Sequence, residues 1–413
     1  MSTFHYSNGK LFCDQIPLDN LAAEFGTPLY IYSAKRLREN VARVQTAYAK
    51  LNPLICYAVK ANENPALLQI FNKMGLGFDV VSGGELHRAQ RAGADPNKIV
   101  FAGVGKTDAE LKLALQKNIN KISVESADEL HALNRLAGEL NIRPSVLLRL
   151  NPDVAPDTHR HILTGNAESK FGIALDVAGE LRKREWENLD LRGVHFHIGS
   201  QIPDPTSISA TLDVVLGFLE ECPLSWDTLD MGGGFPVNYR SEPVVNSFAD
   251  FEEVAANRLA QFPRPLNLII EPGRSLIADT GALLLTVQAS KQTGAYRTVI
   301  VDGGMNTLLR PALYDAYHHV LPFQEADTNT HSTHIAGPVC ESTDYLARNR
   351  HIPDFARYDR LAIMTTGAYG YSMASHYNAR PLPAEVLIDG DSYRLIRRRE
   401  SYTDLDGRDS PIS

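Results

Sequence analysis

Short apolar runs alternate with amphipathic segments between about residues 54 and 270. Eight runs rich in aliphatic and β-branched residues have the length and composition of buried strands. They are Leu54–Val59, Gly77–Val81, Lys98–Ala102, Lys121–Val124, Ser145–Leu150, Arg192–Ile198, Thr228–Met231 and Asn267–Ile270. Segments with helical periodicity separate several of them, namely Pro65–Met74, Gly84–Ala92 and Thr107–Gln116. This α/β alternation predicts a parallel sheet, and eight units predict a closed (β/α)8 TIM-like barrel. An open doubly wound sheet is the alternative on this pattern alone.

The pattern changes after the eighth run. From about Gly281 onward it predicts antiparallel strands and turns in a separate β-rich domain. The predicted strands are Leu283–Gln288, Thr298–Val301, Leu361–Thr365, Glu385–Ile388 and Tyr393–Arg397. Asp389-Gly390-Asp391 is typical of a hairpin turn between the last two. We expect the polar stretch Phe323–Thr333 to be a loop and Ser401–Ser413 to be frayed.

These patterns divide the chain into three parts. Residues 35–280 are predicted to form the barrel and residues 281–413 the C-terminal β-rich domain. Residues 1–34 precede the barrel. Their apolar stretches, Gly9–Phe12 and Pro28–Tyr32, are candidate strands that extend the barrel or, as we favour, join the β-rich domain.

Composition narrows the classes of function. A chain of 413 residues can hold one large and one smaller domain. Its net charge of −8 argues against nucleic acid or an anionic membrane as a main partner. The sequence shows neither an apolar run long enough to span a bilayer nor a secretion signal at its start. Four widely separated cysteines, at positions 13, 56, 222 and 340, fit reduced thiols. We therefore expect a cytoplasmic protein.

Chemically distinctive residues recur where the predicted strands end. In a (β/α)8 barrel, functional side chains come from the C-terminal ends of the strands. The residues at these positions are Lys60, Asp79, His195, His197, Gly232-Gly233-Gly234 and Glu271-Pro272-Gly273-Arg274. Because they belong to five different strands of one barrel, they indicate an active site at its C-terminal mouth.

Lys60 and the glycines suggest a phosphorylated aldehyde. A lysine at the end of a buried strand is partly desolvated, which favours the neutral amine that forms a Schiff base with an aldehyde. Three glycines in a row bring backbone N–H groups close to a phosphate, and Ser200 could add a hydroxyl donor. A solvated surface lysine and a simple tight turn are the alternatives.

The histidines and the acid leave more than one interpretation open. His195 and His197 lie two apart on a predicted strand and should face one side. They could be a metal pair, which needs further ligands, a ring stacked on a cofactor ring, or ordinary core histidines. Glu271 follows an apolar strand, and a buried carboxylate needs a cation or a proton as its partner. A protonated pyridine nitrogen would serve, and Arg274 offers a planar fork for a carboxylate or phosphate.

The C-terminal domain adds candidates for substrate binding. Arg310 and Tyr314 share a face if their turn is helical, and such a pair can hold a carboxylate. A surface arginine over a packed tyrosine is the alternative. The turn Gly337–Ser342 presents Cys340 beside Glu341, although a lone cysteine is most often a small buried hydrophobe.

Taken together, these motifs resemble the group IV pyridoxal-phosphate decarboxylases, which have the alanine racemase fold. The shared motifs are Tyr57–Asn62, Phe78–Leu86, His197–Ser200, Gly232–Gly234 and Glu271–Arg274. Within that group the chain is most similar to the diaminopimelate decarboxylases. The motifs specific to them are Asn151–Val154, Lys170–Ile173, Arg310–Tyr314, Cys340–Ser342, Gly367–Gly370 and Tyr377–Pro381. Small departures occur at Gly303 and Thr307, where alanine and aspartate are expected, and at Val339, where isoleucine is expected.

The resemblance implies a reaction and a set of roles. The enzyme would use pyridoxal 5'-phosphate, bound to Lys60, to convert meso-2,6-diaminopimelate to L-lysine and CO2, the last step of lysine biosynthesis. Glu271 would keep the pyridine nitrogen protonated, His197 would stack on the ring, and Asp79 would support the site. The remaining cofactor contacts would come from Ser200, Gly233, Gly234, Gly273, Arg274 and Tyr369.

The resemblance also implies how the substrate is held and how the product is protonated. The distal end of the substrate would be bound by Arg274, Arg310, Tyr314, Glu341 and Tyr369. Cys340, donated by a partner subunit, would protonate the product carbon. The enzyme would thus be a homodimer with shared active sites and no metal.

Four other functions compete with this one. A sister decarboxylase would act on ornithine, lysine, arginine or carboxynorspermidine, but Arg310 and Tyr314 favour a substrate with a second carboxylate. Alanine racemase pairs its pyridine nitrogen with an arginine, whereas Glu271 favours decarboxylation. The others are a barrel metallohydrolase and a non-catalytic pyridoxal-phosphate carrier, which generally lacks a second domain.

Overall fold

The computed structural model describes residues 3–154, 169–240, 246–326, 330–407 and 409. Two compact units make up the chain. The barrel unit comprises Asn40–Val237 and Pro243–Ser275, and the β unit comprises Met1–Glu39, Asn238–Glu242 and Leu276–Ser413. Among the described residues, no helix combines the length and apolar character needed to cross a membrane.

Eight parallel strands close into a barrel in the first unit. In chain order they are Leu54–Ala58, Gly77–Val80, Ile99–Phe101, Lys121–Val124, Ser145–Asn151, Asp190–His195, Thr228–Asp230 and Asn267–Ile270. Each strand pairs with the next, and the eighth pairs with the first, so the sheet has no free edge. A short strand, Ile173–Ala174, also pairs with the fifth. The predicted closed barrel is confirmed, and the open doubly wound sheet is wrong.

Helices follow the barrel strands, and side-chain caps mark where several of them begin. The helix Ala34–Ala47 precedes the first barrel strand, and the helices that follow the strands are Pro65–Lys73, Gly83–Arg91, Asp108–Gln116, Ala127–Leu140, Leu175–Leu181, Thr206–Glu220, Phe248–Leu259 and Arg274–Ile277. Ser82 accepts a hydrogen bond from the Glu85 N–H, and Thr107 forms a capping box with Glu110. The apolar residues Leu111, Ala114 and Leu115 recur at helical spacing and are buried.

The β unit contains two sheets. Phe4–Ser7, Lys10–Cys13 and Ile16–Pro17 form a small antiparallel sheet. The larger sheet contains Leu29–Ser33, Gly281–Thr293, Tyr296–Val301, Val320–Pro322, His331–Ala336, Tyr345–Ile352, Arg360–Met364, Ala384–Asp389 and Ser392–Arg397. Its short helices are Leu18–Phe25, Arg310–Tyr314 and Tyr402–Asp406. Leu29–Ser33 pairs with Gly281–Thr293 and with Ala384–Asp389, so this strand belongs to the larger sheet and does not extend the barrel.

Several boundaries differ from those predicted. The first barrel strand ends at Ala58 because Val59–Ala61 turns into a 3-10 helix. The sixth ends at His195, three residues before the predicted end at Ile198. The predicted hairpin is confirmed, since Asp389 pairs with Ser392 across Gly390.

Two predicted irregular segments contain regular structure. His331–Ala336 is a strand, so the predicted loop Phe323–Thr333 is wrong at its C-terminal end, while residues 327–329 lie outside the described residues. In the predicted frayed tail, Tyr402–Asp406 is a helix whose first turn is fixed by a Ser401–Asp404 capping box. Residues 408 and 410–413 lie outside the described part of the chain.

Candidate active site

Lys60 and Asp79 form an ion pair at the C-terminal mouth of the barrel. Ala58 and Asp79 are partners in the first and second strands, and Lys60 lies two residues beyond Ala58. The Lys60 Nζ therefore reaches the Asp79 Oδ2 at 2.9 Å. Burial raises the pKa of Asp79, and the charge of Glu271 adds to this effect while Lys60 opposes it. The pair places the Lys60 amine at a defined position, although the reactive role of that amine stays a prediction.

Glu271 is a buried carboxylate that directly follows the eighth strand. Its Oε2 lies 3.6 Å from the Nε2 of His195. Burial on its own would raise the pKa of Glu271, but the attraction of His195 and Lys60 outweighs this and holds the pKa below its usual range. Glu271 is therefore ionised at neutral pH. Its Oε1 is buried, and no N–H or alcohol group among the described residues donates to it.

The buried charge of Glu271 allows a test of whether the site suits pyridoxal phosphate. A buried, ionised carboxylate is costly unless a cation or a hydrogen-bond donor reaches it. A protonated pyridine nitrogen supplies both a positive charge and an N–H donor. The residues present therefore fit the cofactor at this position.

Sequence reasoning missed Asp230, a second buried acid beside Glu271. Its Oδ1 accepts a hydrogen bond from the Gly232 N–H at 2.9 Å. Burial raises the pKa of Asp230 well above its usual range, and the charge of Glu271 raises it further. Asp230 is thus a neutral acid that hydrogen-bonds the ionised Glu271. The sequence does contain a signal for this residue, because Asp230 is an acid inside the apolar run Thr228–Met231. Glu271 was recognised by the same criterion, as an acid at the end of an apolar run.

The two histidines have different surroundings. His195 Nδ1 lies 2.8 Å from the Ser123 hydroxyl, a contact that the sequence did not suggest. His197 lies beyond the end of the strand, and its Nδ1 accepts the N–H of Gly233 at 3.1 Å. Burial lowers the pKa of His197 well below its usual range, so its ring is neutral.

The positions of the two histidines test whether they form a metal-binding pair. Among the described residues, the side chains that could hold a metal are His195, Asp230 and Glu271, with ligand atoms within 4.8 Å of one another. His197 is not part of that group. A metal pair of His195 and His197, one of the three interpretations left open by the sequence, is therefore not formed, and a neutral ring suited to stacking lies at position 197.

The glycine loop is closely packed. A Cβ on Gly233 would lie 2.3 Å from the carbonyl oxygen of Glu271, and one on Gly234 would lie 2.7 Å from that of Gly199. Gly234 also has a φ of 105°, which favours glycine. The N–H of Gly233 is engaged by His197, which limits its availability to a phosphate. The role of these glycines in phosphate binding stays a prediction.

Ser200 and Arg274 lie together in the same unit. The Nε and Nη2 of Arg274 donate to the Ser200 Oγ at 3.2 and 3.1 Å. Gly273 packs against the first strand, where an added Cβ would lie 2.9 Å from the Cβ of Ala58. The structure thus brings a cation and a hydroxyl together, as a site for a phosphate or carboxylate requires.

The remaining predicted site residues lie in the β unit. Arg310 is buried at the start of the helix Arg310–Tyr314, which confirms the helical turn, and Tyr314 is partly exposed at its end. Tyr369 is partly exposed and has a φ of 55°, uncommon for a residue with a side chain.

Cys340 differs from the other three cysteines. Cys340 is exposed, whereas Cys13, Cys56 and Cys222 are buried, and all four are free thiols. The Cys340 N–H donates to the Asn378 Oδ1 at 2.6 Å, which holds the turn. The pKa of the neighbouring Glu341 is lowered by the N–H of Thr343 and by the Ser342 hydroxyl, so Glu341 is ionised. The exposed turn therefore presents a thiol beside a negative charge.

Comparisons with known proteins agree with this chemistry. Residues 34–278 match the family described as "Pyridoxal-dependent decarboxylase, pyridoxal binding domain". A diaminopimelate decarboxylase of Aquifex aeolicus is 41% identical over 96% of this chain and 95% of its own length. One from Neisseria meningitidis is 44% identical over 95% of both chains.

Solved structures show the same relationship. Diaminopimelate decarboxylase from M. jannaschii, in co-complex with L-lysine, has a TM-score of 0.94 and 36% identity, covering 99% of this chain and 98% of that chain. The enzyme from Helicobacter pylori complexed with L-lysine has a TM-score of 0.89 and 37% identity, covering 94% and 98%. The chain belongs to the diaminopimelate decarboxylase family of pyridoxal-dependent decarboxylases.

Proposed function

We propose that this chain decarboxylates meso-2,6-diaminopimelate to L-lysine and CO2, as the last step of lysine biosynthesis. The observation that carries the proposal is the buried, ionised Glu271 at the end of the eighth barrel strand. This carboxylate fits the protonated ring nitrogen of pyridoxal phosphate. Family membership, with relatives about 40% identical over nearly the whole chain, supports the same reaction.

Pyridoxal phosphate supplies an electron sink for the electron pair left behind when CO2 departs. Lys60 would hold the cofactor, and Asp79, whose Oδ2 lies 2.9 Å from the Lys60 Nζ, would position the amine. Glu271 would keep a proton on the ring nitrogen, since its negative charge favours the protonated form. The neutral His197 would stack on the ring without adding a competing positive charge.

The other cofactor contacts are proposed from the resemblance and from local geometry. Ser200 and Arg274 form a polar pair suited to a phosphate. Gly233 and Gly234 keep the loop beside them free of side chains. Gly273 and Tyr369 complete the proposed set.

The second carboxylate of the substrate distinguishes this reaction from those of the sister decarboxylases. Arg310 is buried and permanently charged, and its planar fork of N–H donors matches the geometry of a carboxylate. We assign it to the distal carboxylate, together with Arg274, Tyr314 and Tyr369, and assign the ionised Glu341 to the distal ammonium.

A substrate panel tests this assignment. The purified holoenzyme is offered meso-diaminopimelate, ornithine, L-lysine and arginine at equal concentrations, and CO2 release is measured. The proposal predicts turnover of meso-diaminopimelate alone at a substantial rate, and its loss in Arg310→Ala. A preference for ornithine or L-lysine, unaffected by Arg310→Ala, would instead support a sister decarboxylase.

Cys340 is proposed as the acid that protonates the product carbon in the active site of a partner subunit. Its exposed thiol is compatible with a group that serves another subunit. Cys340→Ala should abolish most turnover while the cofactor stays bound, whereas Cys222→Ala, which alters a buried thiol, should not. Unchanged turnover of Cys340→Ala would remove this residue from the mechanism.

A mixing experiment tests the shared site. Lys60→Ala and Cys340→Ala are each expected to be inactive, but hybrid dimers would contain one intact site. Partial recovery of activity on mixing is therefore predicted. Absence of recovery, once subunit exchange is demonstrated, would contradict the homodimer with shared sites.

Two coarser expectations belong to the same proposal. We place the enzyme in the cytoplasm, where four free thiols remain reduced. We also propose functional boundaries near residues 34 and 280, so that the cofactor-binding barrel is residues 35–280.

A further inference from the structure

His318 links Arg310 to the backbone of the larger sheet. Its side chain is fully buried within the β unit. The His318 Nδ1 lies 2.8 Å from the carbonyl oxygen of Met364. Because a carbonyl oxygen only accepts hydrogen bonds, Nδ1 carries a proton and donates it.

The other ring nitrogen faces Arg310. The His318 Nε2 lies 2.8 Å from the Arg310 Nη1, and a guanidinium nitrogen only donates. The Nε2 must therefore accept, which requires a neutral imidazole protonated on Nδ1. A protonated ring would place a second donor and a second positive charge against the guanidinium. The two contacts together thus specify one tautomer.

Both groups are held by regular structure. The Met364 N–H donates to the carbonyl oxygen of His319 at 2.9 Å, which locks the strand Arg360–Met364 beside the residue that follows His318. The guanidinium carbon of Arg310 lies 4.5 Å from the centre of the Tyr239 ring. That ring also meets the His318 ring edge-on, at 5.3 Å and 83°. Arg310 is thus restrained in direction by His318 and in plane by Tyr239.

We propose that His318 is a positioning residue that sets the orientation of the Arg310 guanidinium before substrate binds. This inference rests on the proposed function, in which Arg310 binds the second carboxylate of the substrate. One N–H of the Arg310 Nη1 donates to His318, and this contact fixes the direction of the other N–H groups of the planar guanidinium. Such preorganisation lowers the entropic cost of binding a carboxylate. His318 therefore affects the recognition of the substrate's second carboxylate without contacting it.

Two amide substitutions separate the contacts of His318. In His318→Asn the side-chain amide can occupy the place of Nδ1 and donate to the Met364 carbonyl, but the acceptor for Arg310 is lost. In His318→Gln the amide oxygen can occupy the place of Nε2 and accept from Arg310, but the contact with Met364 is weakened. The first variant keeps the structural contact, and the second keeps the positioning contact.

Ligands with and without a carboxylate provide a readout besides activity. L-Lysine retains one carboxylate, whereas cadaverine, its decarboxylated form, has none. Binding of each to the holoenzyme is titrated through the change in cofactor absorbance. His318→Asn should weaken L-lysine binding by up to about tenfold, because the Arg310 side chain must then be ordered when the ligand binds, and it should leave cadaverine binding unchanged. The KM for meso-diaminopimelate should rise by a similar factor with kcat nearly constant, and His318→Gln should stay close to wild type in both assays.

Three outcomes would overturn the proposal, and Arg310→Ala tells them apart. If Arg310→Ala leaves L-lysine binding unchanged, the assignment of Arg310 to the carboxylate is itself wrong. If Arg310→Ala weakens that binding but His318→Asn does not, the positioning role alone is wrong. If both His318 variants weaken L-lysine and cadaverine equally, or neither folds with bound cofactor, His318 has only a structural role.

Discussion

Replacing Glu271 with glutamine removes the charge that the account places opposite the cofactor ring nitrogen. The two side chains have nearly the same shape, so the change acts mainly on electrostatics. Glu271 is ionised and buried. The amide can still accept a hydrogen bond there, but it cannot hold a proton on the pyridine nitrogen by charge.

The expected loss follows from the burial of the site. A hydrogen bond to a charged group contributes about 1.5–3 kcal/mol and a neutral one about 0.5–1.5 kcal/mol. Two unit charges about 4 Å apart attract by about 4 kcal/mol at an effective dielectric constant near 20. Loss of the charge should therefore cost about 2–4 kcal/mol of transition-state stabilisation, or about 30- to 1000-fold in kcat.

The assay combines lysine formation from meso-diaminopimelate with measurement of bound cofactor by absorbance. Glu252→Gln is the matched control, because Glu252 is also a buried glutamate of the barrel unit but lies on the helix Phe248–Leu259. We predict a large fall in kcat for Glu271→Gln with cofactor still bound, and little change for Glu252→Gln. A Glu271→Gln enzyme with full cofactor content and kcat within about twofold of wild type would show that the charge of Glu271 does not assist the reaction.

Two further predictions concern packing and pH. Gly233→Ala would place a Cβ 2.3 Å from the Glu271 carbonyl oxygen, so it should lower the free energy of unfolding by about 1–3 kcal/mol and weaken cofactor binding. Gly217→Ala is the control, because its added Cβ would meet open space, and it should change neither quantity. Thermal unfolding and titration with the cofactor measure the two effects. Burial, aided by the charge of Asp79, raises the pKa of Glu85 from 4.5 to about 7. The folded protein thus holds this proton more tightly than the unfolded chain does. The protonated Glu85 contributes up to about 3 kcal/mol to the free energy of unfolding, a contribution that is fully present below pH 4.5 and is lost as the pH rises through about 7. Denaturant unfolding between pH 4 and 8 should show this dependence in wild type but not in Glu85→Gln, and equal pH profiles would count against it.

The barrel and its catalytic mouth could be predicted because their signals are local. Each strand is a short apolar run, and a lysine or acid at the end of such a run is conspicuous without knowledge of the fold. Lys60 and Glu271 stand out in this way. The rule that barrel sites gather at the C-terminal ends of strands then relates residues separated by over two hundred positions.

The contacts that set protonation states could not be predicted, because they depend on strand register. His195 lies opposite Asp230 only because the sixth and seventh strands pair in that register. Likewise Ser123 approaches His195 from another strand, and the amide of Gly233 is taken by His197. Leu29–Ser33 pairs with strands more than two hundred residues away, which no local pattern specifies. These contacts are determined by how strands distant in sequence pair in the folded protein, and the local hydrophobic periodicity of the sequence does not encode that pairing.

The most direct test of the account is lysine formation from meso-diaminopimelate by purified protein supplied with pyridoxal phosphate, with Lys60→Ala as the control. The wild-type enzyme is expected to form L-lysine and CO2 in equal amounts, and Lys60→Ala to form neither. Lysine formation that persists in Lys60→Ala would contradict the catalytic role of this residue. No lysine from wild-type protein that binds the cofactor would contradict the proposed reaction.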